Sequence, residues 1–244
     1  MINSGGGIPP PLFLLYIPGV FLYDKRKRSV LYMTEMHRKY YEKRGAILVK
    51  NLKSRHFDAY YCATREEALE KALELIPEGA TVGWGGVMSA HEIGLVKALN
   101  EGNYNAIDRD KCVTPEEKLQ AAKDAMFADV FLTGANALSL DGEMVNIDGT
   151  GNRVAAIVYG PKEVLVIAGM NKVCDSLEDA ITRARTVAAP LNQQRFGLPN
   201  PCTATGSCAD CKSETCICNQ ILITRHCRPV GRIKFVLVGE DLGL

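Results

Sequence analysis

The sequence predicts an α/β protein in which a mixed, largely parallel sheet is flanked by helices. Three observations carry that prediction. From Met33 onward, short strand-like runs alternate with helix-period segments, the signature of a sheet wrapped by helices. Asp141-Gly142 separates two apolar runs and supplies the residue pair a tight hairpin needs, so part of the sheet is antiparallel. A chain of 244 residues with 47% hydrophobic residues can bury the core of one large α/β domain.

Residues 57–62 read as a strand. Thr64 and Glu67 then have capping-box spacing ahead of Ala68, Leu69, Ala72, Leu73 and Ile76, which share one helical face. Residues 80–84 form the next strand, and Ser89 with Glu92 is a second capping box opening a helix through Ile93, Val96, Ala98 and Leu99. Thr114 and Glu117 repeat the device with Pro115 at the first helical position, where a missing N–H is tolerated. That helix runs to about Phe127.

Residues 129–133 are a strand, 138–140 and 144–147 are the hairpin arms, and 154–158 read as a helix fed by a polar loop. Residues 163–168 are the most apolar strand, and 176–188 a helix with Leu177, Ala180, Ile181 and Ala184 on one face. After Pro190 the periodic signal fades, so 190–219 read as a loop ordered by something other than an apolar face. Residues 220–224 and 232–238 close the chain as strands.

Residues 1–32 are set apart as a disordered leader or start-site artefact, with translation beginning at Met33 or Met36, and 33–244 form the domain. The apolar run 8–23 is broken by four prolines and is followed, not preceded, by Lys25-Arg26-Lys27-Arg28, unlike a secretory signal. It is also shorter than the roughly 20 residues a spanning helix needs; a weak membrane anchor is the minor alternative. With 29 Lys+Arg against 28 Asp+Glu, the net charge of +1 provides no field to gather nucleic acid. Nine cysteines, six of them at 202–227, do not suit a disulfide scaffold in a chain with this much core, and the expected compartment is cytoplasmic. Oligomeric state is not legible.

Three constellations have chemical potential. Gly83, Gly85 and Gly86 precede Ser89, and a glycine turn at a helix start can bring backbone N–H groups to an anion. The alternative is a ligand-free turn. His91 reads as a surface residue of that helix. The second constellation joins Asn136 to Asp148, Gly149, Gly151, Asn152 and Arg153. Arg153 can clamp a carboxylate or phosphate through two parallel hydrogen bonds, and Asp148, Arg153 and Asn136 are the catalytic candidates. The alternative has Asp148 capping a helix and pairing with Arg153. The third is Cys202, Cys208, Cys211 and Cys216, with Cys218 as a possible further ligand; four thiolates satisfy either an iron–sulfur cluster or zinc. Cys227 and His226 are spare. No glycine run has dinucleotide-fingerprint spacing, so no nicotinamide cofactor is expected.

The ordered set Gly83-Trp84-Gly85-Gly86, Thr133-Gly134-Ala135-Asn136-Ala137, Val145 to Arg153, Tyr159-Gly160-Pro161, Val166 to Lys172 and Ala188-Ala189-Pro190 resembles the lactate-utilisation (LUD) family, formerly catalogued as a domain of unknown function. The cysteine segment and Val236 to Glu240 also fit, and the likeness spans about 40–244. It implies a fold similar to ribose-5-phosphate isomerase, glucosamine-6-phosphate deaminase and the CoA transferases. It also implies a role in oxidising lactate to pyruvate alongside iron–sulfur partner subunits. The resulting expectation is an oxidoreductase-linked protein holding an iron–sulfur cluster, of the 4Fe–4S type or else zinc, and an anionic small molecule. The rivals are a non-redox enzyme acting on a phosphorylated or CoA-linked metabolite, and a non-catalytic accessory subunit with structural zinc.

Overall fold

A computed structural model describes residues 35–244; the leader at 1–32 lies outside the described residues. The chain runs α1 (Glu35–Ser54), β1 (Asp58–Cys62), α2 (Arg65–Leu75), β2 (Thr81–Trp84), α3 (Met88–Glu92), α4 (Leu95–Glu101), β3 (Asn105–Ile107) and α5 (Pro115–Asp124). It continues with β4 (Val130–Thr133), β5 (Ala137–Ser139), β6 (Met144–Asp148), α6 (Asn152–Val158), β7 (Glu163–Gly169) and β8 (Val173–Cys174). Then come α7 (Leu177–Arg183), α8 (Ala189–Phe196), α9 (Pro201–Thr205), β9 (Gln220–Thr224) and β10 (Ile233–Val238).

Six strands form one sheet in the order β1-β10-β7-β4-β2-β3, and every pairing in it is parallel. Its central strands alternate between two cores. Leu165, Ile167, Val236 and Val238 face the core shared with α2 and α4, while Val164, Val166, Phe235 and Leu237 face the one shared with α1 and Met144. The antiparallel pairing predicted at Asp141-Gly142 is present, but in a second sheet ordered β8-β5-β6-β9, where only β5 and β8 run parallel. The hairpin therefore stands beside the main sheet and does not edge it.

Two capping predictions hold and one does not. Thr114 and Glu117 make a reciprocal capping box. The Thr64 hydroxyl accepts from Glu67 N, while the Glu67 carboxylate reaches Ala63 N, one residue early. Ser89, by contrast, caps nothing: α3 begins after Val87, and Gly94 in the left-handed region separates it from α4. The Ser89 side chain is buried and turned toward Lys172 instead.

Pro190 does not end its helix. Between α7 and α8 the chain makes a π turn over Ala184–Ala188, where Ala189 N donates to Ala184 O. A proline inside an α-helix collides with the carbonyl four residues back; the widened turn relieves that collision and lets 177–196 run on as one rod. The segment predicted as a loop thus contains α8 and α9. Asn200, 3% exposed, orders the stretch after α9: its Oδ1 accepts from the hydroxyls of Ser213 and Thr215, and its Nδ2 donates to Thr215 O.

Candidate functional site

The chain leaves β2 toward β3 on one side and leaves β4 toward β7 on the other. In parallel sheets, the crevice at such a divergence, beyond the carboxyl ends of the strands, is where ligands sit. A cavity of about 400 Å³ lies there, walled by Gly86–Ser89 after β2, Gly134–Asn136 after β4, 147–153 around the start of α6, and Lys172 after β7. The first two sequence constellations are therefore halves of one site.

Four basic side chains line the cavity, Arg109, Arg153, Lys172 and Arg195, against one acidic side chain, Asp148. Arg153 is held by three neighbours. Its Nη2 donates to Asn136 Oδ1 at 2.9 Å and to Ile147 O at 2.5 Å, and its Nε stands 3.5 Å from Asp148 Oδ2. Asn136 Oδ1 also accepts from Ile147 N, so that amide fixes the guanidinium against β6. Asp148 caps the turn into α6, accepting from Thr150 N and Gly151 N. Asp148 and Asn136 thus aim Arg153.

Lys172 is 4% exposed, and among the described residues its amine hydrogen-bonds Ser89 Oγ alone, at 3.3 Å. Burial, with Arg183 and Arg153 nearby, pushes the amine down to about 8. A side chain at Gly243, which has positive φ, would stand 2.9 Å from its Nζ, so the final turn of chain closes on this amine through a glycine. Lys172 went unassigned in the sequence. The available signal was a lysine placed just beyond the most apolar strand, at the strand end where parallel sheets bind ligands.

The predicted glycines divide by role. Gly86 borders the cavity, and Gly85 lies against Arg153, whose Cβ would be 3.6 Å from an added Cβ. Gly83 is a packing glycine, since a Cβ there would come within 2.6 Å of Ala125 Cβ. Gly151, at φ +91°, starts α6, and Asn152 accepts from the Thr150 hydroxyl beside the cavity. Gly149 packs closely on the cysteine segment: an added Cβ would lie 3.4 Å from Ile217 Cα. Val87 is buried and lines the cavity, whereas His91 is an exposed residue 3.6 Å from Asp110.

The cysteine segment surrounds a second cavity of about 110 Å³, lined by Cys202, Cys208, Cys211, Cys216 and Cys218 with Arg185, Gln193 and Asn200. All nine cysteines are free. Among the described residues, no three His, Cys, Asp or Glu side chains are grouped as ligands of a single metal ion. The five thiols instead ring a space several times that of one water. Burial pushes Cys218 up to about 12, helped by Cys216, and it raises Cys202, with Cys211 and Cys208 adding to the rise. Gln193 is 1% exposed, and neither end of its amide has a hydrogen-bond partner among the described residues. Cys227 lies apart, bonded to Pro229 O and Ile233 N, and His226 lies against His56.

The two cavities share a partition. Ile217 lines both, and α8 presents Ala189 and Gln193 to the cysteines and Asn192 and Arg195 to the basic pocket.

The fold is thus an α/β protein whose main, parallel sheet has a cation-lined crevice at its strand ends and a cysteine-lined cavity beside it. The chain belongs to the LUD domain family, whose model matches residues 46–238. No curated protein matches it. Among solved structures it is similar to a DUF162 family protein from Deinococcus radiodurans, with 10% identity, 82% of this chain and 97% of that one covered, and a TM-score of 0.45. It is also similar to ribose 5-phosphate isomerase A from Neisseria gonorrhoeae, with 19% identity, 47% and 56% covered, and a TM-score of 0.30. No helix among the described residues is long and apolar enough to cross a membrane.

Proposed function

We propose that this LUD-family protein is an oxidoreductase-linked component of lactate or related organic-acid utilisation. In this reading it binds an organic-acid anion in the basic cavity and an iron–sulfur cluster among Cys202, Cys208, Cys211 and Cys216. The observation that carries the reading is the shared partition: Ile217 lines both the cation-lined cavity and the cysteine-lined one, and α8 contributes side chains to each.

The donor set fits a cluster better than a single ion. Zinc draws four sulfurs to one centre at about 2.3 Å each, whereas these thiols surround a cavity of about 110 Å³. The buried, unpartnered Gln193 amide at its wall also calls for a polar occupant. When bound, such a cluster supplies one-electron transfer. The remaining work falls to the chain. Arg153, aimed by Asn136 and Asp148, takes the carboxylate, and Lys172 with Ser89 holds or accepts a proton at the neighbouring oxygen. Gly149, lacking a side chain, lets Ile217 of the cysteine segment pack against the wall of the basic cavity.

A second reading rests on size. A cavity of about 400 Å³ exceeds a three-carbon acid and has room for a phosphorylated or CoA-linked metabolite, with the cysteine cavity serving structure alone.

Anaerobic purification followed by visible spectroscopy and iron, sulfide and zinc analysis of wild type and Cys208→Ser tests the proposal. We expect a brown wild type carrying about four irons and a variant that has lost them. Colourless protein with stoichiometric zinc or no metal would refute the redox reading in favour of the second. Thermal-shift titration with lactate, pyruvate, a sugar phosphate and a CoA thioester then ranks the anions.

A further inference from the structure

We propose that the side-chain amide of Gln193 donates a hydrogen bond to sulfur within the cysteine cavity, and that this bond helps set the redox potential of the group held there. The inference rests on the iron–sulfur reading and assigns it a positioning residue that is not a ligand.

Gln193 sits on α8 with 1% of its surface exposed, and both Nε2 and Oε1 lack partners among the described residues. The contrast with Asn200 is informative. That second buried amide lines the same cavity, yet its Oδ1 and Nδ2 are both engaged, by Ser213 and Thr215. A fold that satisfies one buried amide and leaves its neighbour open has kept the open one for something in the cavity, because orphaned buried amides are rare and destabilising. Turning the amide about its last bond exchanges the two ends, so an N–H₂ can be presented to the cavity in either assignment.

The occupant must accept hydrogen bonds. Thiolates and bridging sulfides do so and carry negative charge, and hydrogen bonds to sulfur are among the factors that set cluster potentials. Such a bond stabilises the reduced, more negative state more than the oxidised one, and so raises the potential. Arg185 also lines the cavity, but it is partly exposed and its guanidinium is paired with Asp210. Gln193 is thus the buried donor with no other engagement.

The test is anaerobic reconstitution of full-length wild type, Gln193→Leu and Gln193→Glu with iron and sulfide, followed by metal analysis and a redox titration read by electron paramagnetic resonance. We expect Gln193→Leu to keep its iron and to be about tenfold less reduced at a fixed potential near the midpoint, a fall of about 59 mV for a one-electron couple. Gln193→Glu should fall at least as far. Equal iron content with an unchanged midpoint would overturn the inference and leave the iron–sulfur reading standing. A wild type that takes up no iron would overturn both. If neither variant folds, wild type labelled with ¹⁵N at glutamine side chains decides the matter: hyperfine coupling of the reduced cluster to a side-chain ¹⁵N supports the bond, and its absence overturns it.

Discussion

Replacing Lys172 by methionine should stabilise the fold at neutral pH while removing anion binding. Lys172 is 4% exposed, its amine has Ser89 as its one hydrogen-bond partner among the described residues, and it feels Arg183 and Arg153. Its amine falls from 10.5 to about 8 on folding; at about 1.4 kcal/mol per pH unit, keeping it charged at pH 7 costs roughly 3 kcal/mol. Losing the bond to Ser89 takes back about 1 kcal/mol, so the variant should gain about 2 kcal/mol. Because the folded value lies below the unfolded one, the unfolded chain binds more protons between about pH 8 and 10.5, and the wild type gains stability as pH rises through that window. The variant's advantage is therefore full below pH 8, cancels at about pH 9.5 and becomes a deficit of about 1 kcal/mol above 10.5, where only the lost Ser89 bond remains. Urea unfolding of both proteins at pH 7, 8, 9 and 10 reads this directly. A variant less stable than wild type at pH 7, or a gap that stays constant with pH, would refute the reasoning. Lactate, pyruvate or phosphate should raise the melting temperature of wild type and not of the variant.

Three further perturbations probe the remaining geometry. Arg153→Lys keeps the charge but cannot reproduce the bonds to Asn136 Oδ1 and Ile147 O, and calorimetric titration should show anion affinity falling by about tenfold, roughly 1.4 kcal/mol. Gly83→Ala forces a methyl to within 2.6 Å of Ala125 Cβ and should cost about 1–3 kcal/mol in a urea titration. Asn200→Leu frees Ser213 and Thr215; limited proteolysis should then cleave 206–216 faster than in wild type, with the main sheet intact.

The alternation of strands and helices was legible because the central strands are buried on both faces and read as unbroken apolar runs, as β7 does. The long α1 was not, because only Gly45, Leu48 and Leu52 are buried in its 20 residues while other apolar side chains such as Met36, Tyr40 and Ile47 are exposed, which blurs the helical period. Ser89 misled for a definite reason. Capping-box spacing says nothing about tertiary contacts, and here the hydroxyl serves Lys172. Asn136, Asp148, Arg153 and the cysteines stood out as clusters of polar or thiol groups between apolar elements. Their meeting across Ile217 did not, since it depends on β9 pairing with β6 and carrying the cysteine segment onto Gly149. Gln193 and Asn200 have no local signature at all; an amide gains significance only from what surrounds it.

The π turn at Ala184–Ala188 holds one residue more than an α-helical path would need. Deleting one residue there, Val187 for instance, would restore the α-helical path and set the Pro190 ring against the carbonyl four residues before it, so α8 would have to bend away from its present course. Gln193 would swing away from the cysteines, and Asn192 and Arg195 away from the basic cavity, with no change in the chemistry of any of them. Insertions and deletions are usually tolerated in loops and read as neutral drift. In this protein a single-codon deletion inside a helix would remodel both cavities at once, so length variation between α7 and α8 is the change to look for when LUD-domain chains with different activities are compared.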